Sequence, residues 1–343
     1  MSFCTSFRID VREVGDGAPV FIIAEGGLSH FGDMDLARQL VNLAADGGAD
    51  AFKTQFFDVE ALIARRAQDW RERLRPRNLT FVQARELKDL CSRRGLIFLA
   101  TAHDETRIRW LQDLDVPAVK VGSGERNNPA FLSKLASIGK PMIVSTGMYG
   151  ESDVQEAIEA CAVAGCQELA LLHCVTSYPT PSDQVNLAAM GRLKQIFPGP
   201  VGYSDHTEDN LAVLAAVARG AAIIEKHITI LRNVPNAQDW KVSAGPENFA
   251  QLVSDIRRVK EMIGHGRKEP APCEREGAKW ALKSLVPSKD LSAGHKLTAE
   301  DLCAKRPGDG IPPNQFRQIL GGQLKRNVQA DELIVIDDIA SAN

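Results

Sequence analysis

The chain has 343 residues, of which 44% are hydrophobic and 25% are charged, the ordinary balance of a globular protein. This composition excludes a largely disordered chain, a collagen-like chain and a coiled coil. Because the formal net charge is only −3, no general field attracts nucleic acid or an anionic membrane, and we expect neither as a partner.

The N-terminal segment and the cysteines bear on location. No apolar run approaches the roughly 18 residues of a membrane span, and residues 1–14 lack the apolar stretch of a signal peptide. The seven cysteines are an odd number without a CxxC pair, which is typical of reduced thiols. We therefore expect a cytoplasmic protein.

Eight short apolar runs recur along the chain. They are VFIIA (20–24), AFKTQ (51–55), IFLAT (97–101), AVKV (118–121), MIVST (142–146), LALLHC (169–174), VGYS (201–204) and IIEK (223–226). Because these runs are continuous rather than alternating, they predict strands that are buried on both faces of a parallel sheet.

The segments between the runs have helical signals. Predicted helices cover 33–46, 152–164 (capped by Ser152), 209–219 and 246–263 (with Pro246 in the first turn), and each stops before a glycine. Strand and helix, repeated eight times, predict a (β/α)8 TIM barrel of the α/β class. A doubly wound open sheet is the alternative, and eight evenly distributed units favour the closed barrel.

The composition changes after the last predicted helix. We assign residues 1–265 to the barrel, the polar, proline-containing segment 266–281 to a linker, and residues 282–343 to a small domain of short strands with few helices.

Polar residues cluster at the C-terminal ends of the predicted strands, where the active sites of such barrels lie. Two lysines and three hydroxyl residues suit a phosphate group or a phosphorylated substrate; they are Lys53, Thr101, Lys120, Ser123 and Ser145. No nucleotide-binding signature of the GxxxxGK[ST] or GxGxxG type accompanies them.

Two histidines and two carboxylates complete the candidate set. His206 and His227 follow adjacent predicted strands, and two nitrogen ligands suit a loosely held Mn²⁺ or similar divalent ion that polarises a carbonyl. Glu25 and Asp239 are placed to position water or to move protons.

Several motifs together resemble the sialic acid synthases, the phosphoenolpyruvate-dependent nonulosonate synthases. They are FIIAEGGLSHFG (21–32), GADAFKTQFF (48–57), VPAVKVGSGERNN (116–128), KPMIVSTGM (140–148), LLHCVTSYPTP (171–181), VGYSDHT (201–207), IIEKHIT (223–229) and KRPGDGI (305–311). The resemblance runs from about residue 18 to the C-terminus. It implies a TIM barrel followed by an antifreeze-like (SAF) domain, in a domain-swapped homodimer.

The resemblance also implies a reaction and residue roles. Phosphoenolpyruvate would condense with the open-chain aldehyde of an N-acyl hexosamine, typically N-acetylmannosamine, with a divalent metal (Mn²⁺ or Mg²⁺) as cofactor. Glu25 resembles the essential glutamate of the family. The matches for the sugar contacts are Gln55, Tyr178, Asp239 and Arg306, the last of which would reach into the partner subunit's site.

Four positions depart from the family pattern, and all are expected near the acceptor sugar: Ser29, Ala102, His103 and Thr176. The identity of the acceptor sugar is therefore left open by the sequence. It is N-acetylmannosamine, a precursor of legionaminic or pseudaminic acid, or a phosphorylated aldose, for which the arginines at 65, 66, 71, 73, 75 and 77 are candidate ligands. A non-catalytic carbohydrate-binding protein is a third possibility, although such a protein needs neither the phosphate set nor the histidine pair.

Overall fold

The structure is a computed structural model that describes residues 2–340. Within these residues, eight parallel strands close into a barrel in which neighbours in sequence are neighbours in space and the last strand pairs with the first. The predicted closed (β/α)8 barrel is therefore confirmed, and the open sheet is excluded. The barrel strands are β3 (Phe21–Gly27), β4 (Ala51–Phe56), β5 (Ile97–Ala102), β6 (Val119–Val121), β7 (Met142–Ser145), β8 (Leu169–Cys174), β9 (Val201–Asp205) and β10 (Ile223–His227).

Helices surround the strands. They are α1 (Met34–Asp46), α2 (Val59–Leu62), α3 (Gln68–Leu74), α4 (Phe81–Arg93), α5 (Glu105–Asp113), α6 (Pro129–Ala136), α7 (Glu151–Val163), α8 (Ala188–Ile196), α9 (Leu211–Ala218) and α10 (Phe249–Ile263). Two predicted starts were wrong. The cap of α7 is Gly150 rather than Ser152, and α10 begins after Asn248, so Pro246 precedes its first turn.

An N-terminal hairpin, which was not predicted from the sequence, packs against the N-terminal end of the barrel. Its strands are β1 (Ser6–Ile9) and β2 (Arg12–Gly15). Phe7, Ile9 and Val14 of this hairpin belong to the same buried apolar cluster as the lower inward-facing residues of the barrel strands. The barrel is thus filled by apolar side chains at this end and is not a pore.

Alternate side chains of each barrel strand point into the barrel, and those between them pack against the helices. In β3, Phe21 and Ile23 lie in the inner apolar cluster, whereas Ile22 and Ala24 lie in the cluster between strands and helices. Continuing the inner series places Glu25 at the C-terminal end of the same strand. The inward side chains are therefore apolar at the bottom of the barrel and polar at the top.

The chain divides into two compact units, Met1–Gly264 and His265–Asn343. The second contains α11 (Glu274–Ala281), β11 (Ser284–Pro287), β12 (Leu302–Lys305), α12 (Phe316–Ile319), β13 (Gln323–Leu324) and β14 (Ile339–Ala340), around a small apolar core of its own. Helix α11 occupies the second half of the segment 266–281 that we assigned to a linker. In the described part of the chain, no helix is long and apolar enough to cross a membrane.

Candidate active site

A cavity of about 200 Å³ opens at the C-terminal ends of the barrel strands. It is lined by groups from all eight strands or the loops that follow them. The lining includes nearly every predicted barrel residue, namely Glu25, Lys53, Gln55, Thr101, Lys120, Ser123, Ser145, Tyr178, His206 and His227. Charged and polar side chains from distant parts of the sequence are therefore brought to one place.

Two buried lysines and one buried glutamate form the centre of the cavity. Lys53 Nζ lies 3.5 Å from Glu225 Oε2, and Lys120 Nζ lies 3.6 Å from Glu225 Oε1. Lys120 also donates to Ser145 Oγ at 2.7 Å. Glu225 thus bridges two cations whose strands, β4 and β6, are far from its own in sequence.

These contacts shift the pKa values of the three buried groups. Burial raises the pKa of Glu225, but Lys120 and Lys53 outweigh burial and hold that pKa at about 2. Burial lowers the pKa of Lys53, and Glu225 and Glu25 more than compensate, so its pKa is raised overall. The pKa of Lys120 is lowered, because burial exceeds the attraction of Glu225.

Hydroxyl and amide groups surround the lysines. Lys53 donates to Thr101 Oγ1 at 3.3 Å, and Ser123 Oγ accepts from the Gly147 amide at 2.9 Å. A Cβ on Gly147 would come within 2.7 Å of Ser123 Oγ and 2.4 Å of Thr176 Oγ1, so only glycine fits there. The backbone and the hydroxyl groups are packed closely enough to fix the positions of several donors.

The paired histidines lie beside the lysine cluster, with ring centroids 5.4 Å apart. His206 Nδ1 is 2.7 Å from the carbonyl oxygen of Val175, and because a carbonyl oxygen only accepts hydrogen bonds, Nδ1 carries the proton and donates it to this bond. Nε2 then holds the lone pair and accepts from the Tyr178 hydroxyl at 2.8 Å. Burial lowers the pKa of His206 to about 4, and His227 contributes, so the ring is neutral near pH 7.

A metal-binding role agrees with part of this geometry. Among residues 2–340, His227 Nδ1 is buried without a hydrogen-bond partner, and His206 has the backbone-anchored tautomer that metal-binding histidines show. No third His, Cys, Asp or Glu side chain joins them in the described residues. The donor set therefore fits a divalent ion that keeps several positions for water or substrate.

Glu25 is held from two sides. Its Oε2 lies 3.0 Å from Lys53 Nζ, and its Oε1 accepts from Gln55 Nε2 at 2.8 Å. Gln55 in turn lies 3.2 Å from His103 Nε2 through its Oε1. A Cβ on Gly27 would approach Glu25 Oε1 at 3.2 Å, so this left-handed glycine, the last residue of β3, leaves room for the carboxylate.

Two predicted residues are not part of the cavity lining. Asp239 begins a 3₁₀ turn, Asp239–Lys241, in the loop after β10, where it partly offsets the lowering that burial imposes on the pKa of Arg77. Arg306 belongs to the second compact unit, where its guanidinium lies 5.9 Å from the Trp280 ring. The roles of both residues stay predictions.

Two residues of the cavity lining had no predicted role, although they follow the alternation of side chains along their strands. Ser204 and Glu225 precede His206 and His227 by two positions on β9 and β10, and Ser204 Oγ donates to Glu225 Oε1 at 2.9 Å. Extending the inward series back from each histidine would have found both residues. Cys174 and Thr176 are also in the lining.

A barrel with buried lysines, carboxylates and paired histidines at the C-terminal ends of its strands has the architecture of an enzyme. Residues 40–268 match the NeuB family, and residues 283–340 match the SAF domain. The chain belongs to the NeuB family, the phosphoenolpyruvate-dependent sugar acid synthases, and ends in a SAF domain. The predicted resemblance and the predicted class of enzyme are confirmed.

Similar proteins agree with this assignment. The chain is 37% identical to the N,N'-diacetyllegionaminic acid synthase of Campylobacter jejuni, over 91% of this chain and 98% of that protein. It is 32% identical to the human N-acetylneuraminate-9-phosphate synthase, over 94% of each chain. The solved structure of the N-acetylneuraminic acid synthetase of Leptospira borgpetersenii has a TM-score of 0.75 and 33% identity, and covers 80% of this chain and 96% of its own.

Proposed function

We propose that the protein condenses phosphoenolpyruvate with the open-chain aldehyde of an N-acyl hexosamine, giving a nine-carbon 2-keto sugar acid and phosphate. The observation that supports this most directly is the pair Lys53 and Lys120, both buried and both in contact with Glu225. Two cationic side chains that line a polar cavity, with hydroxyl groups beside them, supply the charge-assisted donors that an anionic ligand needs.

Phosphoenolpyruvate matches this cluster. Its phosphate and carboxylate would accept from the lysines and from the hydroxyl groups around them, which are those of Thr101, Ser123 and Ser145. The acceptor aldehyde would then bind beside the enol, within reach of its C3. Fixing both reactants supplies a large share of the rate by orientation.

The chemistry follows from this placement. C3 of the enol forms a bond to the aldehyde carbon, the aldehyde oxygen takes a proton, and C2 becomes cationic. Water then adds to C2, and Glu25, held by Lys53 and Gln55, positions that water and accepts its proton. The bond between C2 and the bridging oxygen of the phosphate then breaks while the C2 hydroxyl passes its proton to the departing phosphate, which leaves the 2-keto acid.

We propose that His206 and His227 hold a divalent metal, Mn²⁺ or Mg²⁺. Such an ion supplies Lewis-acid polarisation of the aldehyde oxygen. A charge argument supports it: Lys53 and Lys120 already balance Glu25 and Glu225, so an anionic substrate brings negative charge that needs a further cation. The unpartnered His227 Nδ1 is the nitrogen for which an ion would provide a partner.

For the acceptor, we favour an unphosphorylated N-acyl sugar over a sugar 6-phosphate. Three of the six arginines between residues 65 and 77 are already engaged within the protein. Arg71 and Arg75 pair with Glu60, and Arg77 lies over the Phe31 ring at 4.9 Å. A distal phosphate would have to compete for these contacts. N-acetylmannosamine and the diacetamido precursors of legionaminic and pseudaminic acids are the candidates.

We also propose a domain-swapped homodimer, in which Arg306 of one subunit completes the site of the other, and a cytoplasmic location. The support for the dimer is the family resemblance of the KRPG motif at 305–308. The cysteines of the described residues are all free, and burial raises the pKa of Cys91, Cys161 and Cys166, which is consistent with inert thiols in a reducing compartment.

The test is phosphate release from phosphoenolpyruvate by the full-length protein with Mn²⁺. The acceptors are N-acetylmannosamine, its 6-phosphate and 2,4-diacetamido-2,4,6-trideoxyhexoses. We expect one unphosphorylated sugar to trigger release that EDTA abolishes and that Mn²⁺ restores. The Glu25→Gln variant should release no phosphate but should still bind phosphoenolpyruvate. Binding of phosphoenolpyruvate without release from any sugar would favour a non-catalytic protein.

A further inference from the structure

A chain of three hydrogen-bonded side chains crosses the rim of the cavity. Glu25 of β3 accepts from Gln55 of β4 at 2.8 Å, and Gln55 Oε1 lies 3.2 Å from Nε2 of His103, the residue directly after β5. The three residues come from neighbouring strands of the barrel and all line the cavity.

The direction of these hydrogen bonds follows from the chemistry of the groups. A carboxylate only accepts, so Gln55 must turn its NH₂ group toward Glu25. Gln55 Oε1 then faces His103, and His103 Nε2 must donate to it. The imidazole is therefore the Nε2–H tautomer, and Nδ1 is an acceptor.

The neutral form of this ring is stable near pH 7. Burial lowers the pKa of His103 to about 4, and the positive charge of Lys53 contributes. Asp104 opposes the shift, and Lys120 adds to it. His103 is thus a fixed dipole rather than a charge, and it offers Gln55 one donor only.

We propose that His103 is a positioning residue for the condensation: it fixes the Gln55 amide, which in turn holds Glu25 where it receives the proton of the attacking water. The inference rests on the proposed function. Lys53 holds Oε2 of Glu25 at 3.0 Å, so Gln55 is the second anchor of that carboxylate and His103 is the anchor of Gln55. Without His103, Gln55 Oε1 loses its donor, and the side chain is free to leave the position from which Nε2 reaches Glu25.

The position of His103 predicts a division of kinetic effects. The chain of contacts ends at Glu25, whereas the hydroxyl groups around the lysines belong to other residues. Loss of His103 should lower kcat and leave the KM for phosphoenolpyruvate nearly unchanged. Loss of a residue that holds the phosphate of phosphoenolpyruvate would instead raise that KM.

The first arm of the test reads the hydrogen-bond network directly and needs no turnover. Imidazole ¹⁵N NMR of the full-length protein distinguishes the two neutral tautomers, and the chain has only seven histidines, so comparison with His103→Phe assigns the signal. We expect the neutral Nε2–H tautomer at pH 7, and loss of the tautomer preference in Gln55→Ala. A neutral Nδ1–H tautomer or a charged ring would overturn the inference.

The second arm is the kinetics of phosphate release with the most active acceptor of the panel. We expect His103→Phe to lower kcat about tenfold, as removal of one partly buried hydrogen bond predicts, with the KM for phosphoenolpyruvate changed less than about twofold. His103→Gln, which retains an N–H donor, should recover most of the loss. An unchanged kcat in His103→Phe, or no recovery in His103→Gln, would overturn the role of His103.

The two failures are distinguishable. If the wild-type protein releases no phosphate with any acceptor, the proposed function fails and the role of His103 fails with it. If the wild-type protein is active and His103→Phe is equally active, only the inference about His103 fails.

Discussion

Lys226 and Asp205 form a buried ion pair on adjacent strands, with 2.5 Å between Nζ and Oδ2, and each directly precedes a histidine of the cavity. Lys226 also donates to the carbonyl oxygen of Thr207 at 2.9 Å, and Tyr203 donates to Asp205 Oδ1 at 2.8 Å. Because side chains alternate along a strand, this pair lies on the face opposite to the histidines. It fixes the backbone from which both rings project.

Breaking this pair should destabilise the barrel strongly. We expect Lys226→Met to lower the free energy of unfolding by about 3 kcal/mol or more, because it leaves the Asp205 carboxylate buried and unpaired. The double variant Asp205→Leu/Lys226→Met should recover much of the loss. Urea unfolding followed by circular dichroism measures this. The matched control is Arg192→Met, whose partner Glu151 is exposed and where we expect less than about 1 kcal/mol. Equal effects of both single variants would contradict the account.

Glu225 should make stability depend on pH at the acid end. Its pKa is about 2 in the folded protein and 4.5 for the free side chain, so its contribution is complete above about pH 4.5 and disappears as the pH falls toward 2. The difference corresponds to roughly 3 kcal/mol at most. Glu225→Gln should be less stable than the wild-type protein at pH 6, and the difference should shrink toward pH 2. A constant difference across this range would show that Glu225 is not held ionised by the lysines.

The lysines should govern the affinity for phosphoenolpyruvate. Lys120→Met and Lys53→Met should each weaken binding about 10- to 100-fold, because each removes a charge-assisted hydrogen bond in a buried site. Isothermal calorimetry with phosphoenolpyruvate alone measures this without an acceptor. Lys134→Met is the control, since Lys134 pairs with Glu105 on the exposed surface of the barrel. Wild-type affinity in both cavity variants would contradict the assignment of the phosphate site.

The proposed domain-swapped dimer makes a prediction about mixtures of two variants. Arg306→Ala and Lys120→Met should each be nearly inactive alone. If Arg306 acts in the partner's site, a refolded equimolar mixture should regain about a quarter of the wild-type activity, because half of the dimers are mixed and each mixed dimer has one intact site. A mixture as inactive as its components would mean that Arg306 acts within its own subunit or not at all.

The barrel could be predicted from sequence because its strands are buried on both faces and therefore appear as continuous apolar runs. The hairpin β1–β2 was not predicted because its strands are short and mostly polar. Their three apolar residues that pack against the barrel, Phe7, Ile9 and Val14, do not form a continuous apolar run. Helix α11 was missed because its residues are mostly polar and exposed. In both cases, the local pattern did not contain the apolar signal on which the prediction depended.

Most of the candidate site could be predicted from the position of polar residues at strand ends. The role of Glu225 could not, because its partners Lys53 and Lys120 lie on other strands and only barrel closure brings them within 3.6 Å. The hydrogen bond between His103 and Gln55 is hidden for the same reason. Contacts across the barrel depend on the register between strands, which the sequence pattern of one strand does not contain.

The proposed reaction forms a carbon–carbon bond from phosphoenolpyruvate, and ¹³C NMR detects that bond. The full-length protein is incubated with Mn²⁺, [3-¹³C]phosphoenolpyruvate and the acceptor that triggers phosphate release. We predict that the labelled vinylic CH₂ becomes the methylene beside the anomeric carbon of a nine-carbon 2-keto sugar acid, in an amount equal to the phosphate released. Appearance of the label in the methyl group of pyruvate, with the sugar unchanged, would contradict the account.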